Sequence, residues 1–219
     1  MEIVLGIDNI IFIALLCGYI PKRADQRRAR TIGLSLALVF RILLLAFILS
    51  LVSMVKPLFF IGDYAASGRD LVLFGGGLFL IYKTVQEIIQ KLKSTATATA
   101  TAAKTILSVT QAIIQITIID IIFSFDSILT AVGLSRNLII MITAVICSMF
   151  VMLFFAHIVS DFINKYPTIK MIALVFLVCI GVLLLSESLH IHIEKNYVYV
   201  AMGFAVLVEM LKKKKKKIS

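Results

Sequence analysis

The stretch Asp120-Ile121-Ile122-Phe123-Ser124-Phe125-Asp126-Ser127 decides how the rest of the chain is read. Its two carboxylates lie inside an apolar run from Ile106 to Leu134. That run exceeds the roughly 20 residues needed to cross the hydrocarbon core of a bilayer. A carboxylate in hydrocarbon costs about 2.5–3.5 kcal/mol on insertion scales, so two in one span call for a partner, a proton or a cation. A near copy opens the chain: Glu2-Ile3-Val4-Leu5-Gly6-Ile7-Asp8-Asn9. At an offset of 118 residues Glu2 falls on Asp120, Gly6 on Ser124, Asp8 on Asp126 and Asn9 on Ser127. Two such motifs, each opening a hydrophobic half, predict a structural repeat with a shared site.

Composition agrees with a membrane protein. Of 219 residues, 61% are hydrophobic and 16% charged, whereas a soluble domain is nearly half apolar and about a quarter charged. The net charge of +10 does not indicate nucleic-acid binding, because the Lys and Arg residues cluster where membrane topology places them. Cys17, Cys147 and Cys179 sit in apolar runs without a CxxC pair, which reads as small buried hydrophobes and not disulfides or thiolate ligands. The first segment carries Glu2 and Asp8 and no basic leader, unlike a cleavable signal peptide.

Seven apolar segments predict an all-α polytopic fold: Ile3–Ile20, Ile32–Val55, Leu71–Ile89, Ile106–Leu134, Leu138–Ser160, Ile169–Ser186 and Tyr197–Leu211. They divide a single membrane domain, 1–211, into a first repeat (1–90), a Ser/Thr/Ala-rich linker (91–105), a second repeat (106–188) and a last helix (197–211), with a basic tail over 212–219. Alternate connections and the tail carry 17 Lys and Arg residues on one side, against four on the other. The excess of positive charge places the N-terminus outside and the C-terminus in the cytoplasm. Three spans per half then make the repeats inverted. Gly75-Gly76-Gly77 in the third segment and Gly181 in the sixth suit close helix packing, or simply reflect the abundance of glycine in membrane helices. In the fourth segment, 14 residues from Ile106 to Ile119 precede the acidic motif, whereas only Met1 precedes Glu2. Equivalence of the halves predicts about as many apolar residues upstream of the first motif.

The motifs suggest their own chemistry. On a helix Glu2, Gly6 and Asn9 share a face, as do Asp120, Ser124 and Ser127; Asp8 and Asp126 lie about 120° away. Either each helix carries two separate acid sites, or it breaks near Gly6 and Ser124 and brings both acids to one cavity. Arg41, inside the second span, is the natural counter-ion. The ligand set Glu2, Asp8, Asn9, Asp120, Asp126 and Ser127 offers only oxygen donors, suited to Mn²⁺, Mg²⁺ or Ca²⁺. A blander reading pairs these acids with Arg41 and backbone groups alone. Glu187, His190, His192 and Glu194 read as a solvated loop, and Asp161 as interfacial. Asp8 and Asp126 on different spans also permit an intramembrane aspartyl protease dyad, although the contexts Gly-Ile-Asp and Ser-Phe-Asp lack the Gly-x-Gly-Asp signature of such enzymes.

These residues, with Gly68-Arg69-Asp70 and Ser160-Asp161-Phe162-Ile163-Asn164, resemble the TerC family of integral membrane proteins. The resemblance covers nearly the whole chain. It departs in the linker, which is often acidic in the family and is Thr/Ala-rich here, and in ending at a Lys run where some relatives continue into cytosolic domains. The resemblance implies a multi-pass protein of a bacterial inner membrane that exports a metal cation, with Mn²⁺ foremost and no resident cofactor. It would be a transporter and not an enzyme, with protons as possible coupling ions and the lipid bilayer as its surroundings. A non-transporting membrane scaffold in metal or tellurite resistance is the competing role.

Overall fold

The computed structural model describes residues 2–47, 57–61, 64–96, 107–134, 137–191 and 193–218. Along them run α1 (Glu2–Cys17), α2 (Arg23–Ala46), β1 (Pro57–Ile61), β2 (Tyr64–Ser67), α3 (Gly68–Ala96), α4 (Val109–Leu134), α5 (Leu138–Lys165), α6 (Pro167–Ser188) and α7 (Lys195–Ile218). The fold is therefore an α-helical polytopic one. Five helices, α2 to α6, are long and apolar enough to cross a membrane. The antiparallel pair β1–β2, with Phe59 opposite Ala66 and Ile61 opposite Tyr64, is an addition that hydropathy did not predict.

Helix bounds differ from the expectation most at three places, for a common reason: α3 runs on to Ala96, seven residues past Ile89 and into the expected linker 91–105. α2 begins at Arg23 and not at Ile32, so Arg23, Arg27, Arg28 and Arg30 are helical. α7 continues through the lysines expected to form a tail. Hydropathy sees only apolar length, but Ala, Arg, Gln and Lys are good helix formers. Lysines at a helix C-terminus also face the negative end of its dipole.

The starts of the helices are written locally. Ser67 and Asp70 form a reciprocal cap on α3: Ser67 N–H donates to Asp70 Oδ2 at 2.9 Å, and Asp70 N–H donates to Ser67 Oγ at 3.2 Å. Ser108 and Gln111 repeat this arrangement at α4, with both bonds at 3.2 Å. Such pairs satisfy backbone donors that the first helical turn leaves open. Asn137 caps α5, and Pro167 occupies the first turn of α6, where its missing N–H costs nothing.

α1 is the buried axis of the bundle. From Ile10 to Cys17 every side chain is buried, which explains a sequence that is apolar all round. α1 packs chiefly on α5, α2 on α4, α3 on α6, and α7 on α6. Outward faces are apolar too, with Phe150, Phe154, Val200 and Phe204 exposed, as a lipid surrounding requires. Cys147 also faces outward, contrary to the expectation that all three cysteines are buried. Asp161 is exposed and paired with His157, as an interfacial residue would be.

The α3–α6 pair runs antiparallel, with Asp70 beside His190 at one end and Gly77 against Gly181 in the middle. A Cβ on Gly77 would lie 2.9 Å from the Gly181 carbonyl, and one on Gly181 would lie 3.2 Å from the Gly77 carbonyl. Close backbone approach of this kind is how membrane helices gain packing energy without a hydrophobic driving force. Gly75, by contrast, faces open space.

Candidate functional site

Asp120 lies in the middle of α4, only 2% exposed, and three helices converge on its carboxylate. Arg41 of α2 donates from Nε to Oδ2 at 3.2 Å and from Nη2 to Oδ1 at 2.9 Å. Asn9 of α1 donates from Nδ2 to Oδ1 at 2.9 Å. Ser124, one turn further along α4, donates from Oγ to Oδ2 at 3.1 Å. The two-pronged guanidinium contact is the strong form of this interaction. It pairs a buried anion with a cation that is itself 3% exposed, so neither charge is left alone in hydrocarbon. Arg41, expected as a counter-ion, thus lies against Asp120.

Asp126 is six residues further along α4, about 9 Å up the axis and roughly 120° around it. It is 4% exposed and belongs to a second cluster. Arg69 Nη2 donates to its Oδ1 at 2.6 Å and also to Glu187 of α6. Lys195 Nζ of α7 donates to Oδ2 at 2.7 Å and stands 3.5 Å from Glu187. Next to it, His190 meets Asp70 at 3.1 Å. His190 is held at φ 61° in the turn that ends α6, where its N–H reaches Glu187 O and the Ile191 N–H reaches Ser186 O. This is the hydrogen-bond pattern of a left-handed helix stop. It directs the chain back toward Asp70 and α7.

The expected helix break is corrected. α1 is helical through Gly6 and α4 through Ser124. Gly6 serves close packing instead: a Cβ there would meet Met152 Sδ at 2.8 Å. The Ser124 hydroxyl satisfies Asp120 without disturbing the helix. Ser127, beside Asp126, donates to the Ser124 carbonyl at 3.2 Å. Asp120 and Asp126 accordingly occupy two stations and not one cavity. The side chains of Glu2 and Asp8 lie outside the described residues, as does His192. Among the described residues, no group of three His, Cys, Asp or Glu side chains is arranged to hold a metal.

Glu187 is the residue that sequence reading placed wrongly. It is part of α6 and half-buried, not a solvated loop residue. Lys195 enters the sequence reading only as one of the four basic residues on the sparser side of the charge count. The available signal was positional: in an antiparallel pair, Arg69 at the start of one span must lie near Glu187 at the end of the other.

At the opposite end of the bundle a smaller cluster forms around Glu87 of α3. The Tyr19 hydroxyl lies beside the Glu87 carboxyl, with Lys170 and Lys83 close by. Lys170 Nζ stands 3.8 Å over the Tyr19 ring, a favourable cation–π position. Buried Arg30 is held by the Ala156 carbonyl at 3.3 Å.

The family model "Integral membrane protein TerC family" matches residues 1–216. The chain belongs to the TerC family. Over 211 residues this TerC chain is 46% identical to a UPF0053 protein of Haemophilus influenzae, covering 96% of the chain and 88% of that relative. It is 44% identical to the UPF0053 inner membrane protein YgdQ of Escherichia coli K12, with 96% and 87% covered. The longer UPF0053 inner membrane protein YoaE of the same organism is 40% identical, and the TerC chain matches 40% of its length. No solved structure matches. As a TerC-family chain the protein is an integral membrane protein, and family membership sets the aspartyl protease reading aside.

Proposed function

We propose that this TerC-family chain is a secondary transporter of a bacterial inner membrane that exports a divalent metal cation, Mn²⁺ foremost, through Asp120 and Asp126. The observation that carries the reading is the burial of both carboxylates inside one continuous membrane helix, since intramembrane acids mark ion pathways by default. The donors around them, Asn9, Ser124, Ser127 and Glu187, are oxygen or amide groups that favour hard cations. Glu2 and Asp8 join this ligand set by their equivalence to Asp120 and Asp126. The inner-membrane assignment rests on the relatives named as inner membrane proteins.

The motion would be a rocking of one three-helix half against the other. Packing supports this. Exchanging α1, α2, α3 with α4, α5, α6 turns the α1–α5 contact into the α4–α2 contact, and both are major contacts of the fold. The same exchange maps the α3–α6 pair onto itself, with Gly77 opposite Gly181 and their neighbours Ile81 and Leu185 in swapped roles. By the charge bias of the connections, the end carrying Arg69 and Lys195 faces outside, and the end carrying Tyr19 and Lys170 faces the cytoplasm. Protons are the coupling ions that a set of clustered carboxylates would supply.

A second reading is a non-transporting scaffold. It is favoured by the full engagement of Asp120 with protein groups, Arg41 and Asn9 above all. Ion-resolved uptake into inverted vesicles, comparing Mn²⁺, Ca²⁺, Mg²⁺ and Zn²⁺, separates the two. The transporter accumulates one or more of these ions above an empty-membrane control, whereas the scaffold accumulates none.

A further inference from the structure

We propose that Lys195 is a tethered competitor for the cation: its ammonium, with the Arg69 guanidinium, occupies the Asp126–Glu187 station and shuts the outer mouth when no ion is there. The inference rests on the export reading for the identity of the displaced ion, but its structural part stands alone. Arg69 and Lys195 carry two positive charges, and Asp126 and Glu187 carry two negative ones. A divalent cation replaces the two side-chain cations without changing the net charge of the station. That exchange avoids the cost of leaving an uncompensated charge in a low-dielectric site.

The geometry fits a displaceable latch. Lys195 reaches Asp126 Oδ2 at 2.7 Å while Arg69 takes Oδ1 at 2.6 Å, so each oxygen has its own cation. Lys195 is the first residue of α7, which packs chiefly on α6 and lies beyond the six helices that exchange between halves. Its ammonium is a compact charge on a flexible stem, unlike the planar fork of Arg69. Lys195 is also the more exposed of the two, at 26% against 18%, so it is the one placed to withdraw toward water first, before Arg69 yields to the arriving ion. Return of the ammonium to Asp126 would expel the ion outward and prevent its re-entry. Lys195 is thus a positioning residue acting through the Asp126 carboxylate.

The test reads opening of the mouth and transport separately. In a background with Cys17, Cys147 and Cys179 changed to Ala, Ser127→Cys is a near-isosteric probe beside Asp126. A membrane-impermeant maleimide is applied to right-side-out vesicles. Lys195→Gln is expected to raise the labelling rate at least about tenfold, as loss of one partner from a partly buried ion pair does. Lys195→Arg is expected to restore slow labelling. In the unaltered Lys195 background, 1 M NaCl is expected to speed labelling, because salt screens a partly exposed pair, and to have little effect in Lys195→Gln. Equal labelling in all three proteins, with no salt effect, overturns the latch. Faster labelling in Lys195→Gln, together with no Mn²⁺ uptake by the parent chain that keeps Ser127, supports the latch and overturns the export reading. Should Lys195→Gln fail to fold, the salt response of the Lys195 protein decides alone.

Discussion

Arg41 grips both carboxylate oxygens of Asp120, at 3.2 and 2.9 Å, with each partner almost completely buried. Removing one member leaves the other as an unpaired charge in hydrocarbon, a loss of about 3–5 kcal/mol for a buried pair. Arg41→Gln and Asp120→Asn are each expected to lower thermal stability in detergent strongly. The double variant is expected to recover most of the loss, because no charge then remains unpaired. A double-mutant cycle of unfolding temperatures checks this.

Gly77 and Gly181 bring the backbones of α3 and α6 close together. Gly77→Leu drives a side chain into the Gly181 carbonyl and the Leu185 side chain, and overpacking of this kind costs about 1–3 kcal/mol or more. Gly75→Ala, two positions earlier but facing open space, is expected to stay within about 1 kcal/mol of the parent, with a gain from helix propensity. Unfolding temperatures of the two variants, compared side by side, test whether position and not glycine content sets the effect.

His190 holds a left-handed backbone at φ 61°, which costs an L-residue roughly 1–2 kcal/mol. Its imidazole is half-exposed although Asp70 is buried, so their pairing offsets little of that. His190→Gly is therefore expected to be more stable than His190→Ala by about 1 kcal/mol, since glycine relieves the strain and alanine keeps it. Thermal unfolding of both variants gives the sign.

Ala24 and Asn196 are exposed at opposite ends of the bundle. With the native cysteines replaced, Ala24→Cys is expected to resist an impermeant thiol reagent added to intact cells, and Asn196→Cys to react. The reverse pattern would invert the orientation drawn from the positive-charge bias.

Much of the fold was legible because hydrocarbon imposes a coarse code. Apolar length marked the starts of α3 to α6 to within about three residues but stopped short of the polar ends of α3 and α5, and the two acidic motifs singled out Asp120 and Asp126 as buried. The partners were harder to read. Arg41 was visible as a lone charge inside an apolar run. Arg69, Glu187 and Lys195 lie at helix ends, where charges are ordinary, and only the antiparallel registration of α3 and α6, with α7 packed back on α6, brings them to Asp126. The expected helix breaks failed because a glycine and a serine in a helix have other uses. Gly6 admits Met152, and Ser124 bonds back to Asp120 one turn earlier. The polar stretch at the start of α2 was hidden because helix propensity and hydropathy are different properties, and only the second was followed there.

The export account turns on Asp126. Inverted vesicles carrying the parent chain, Asp126→Asn or Asp161→Asn, at equal folded amounts, are given external Mn²⁺ and their uptake is followed. Asp161 is exposed and serves as a carboxylate control of the same chemistry. The account predicts uptake by the parent and by Asp161→Asn, and at least about a tenfold loss for Asp126→Asn, because a hard-cation site depends on the charge of its ligands. Undiminished Mn²⁺ uptake by a folded Asp126→Asn protein would contradict it.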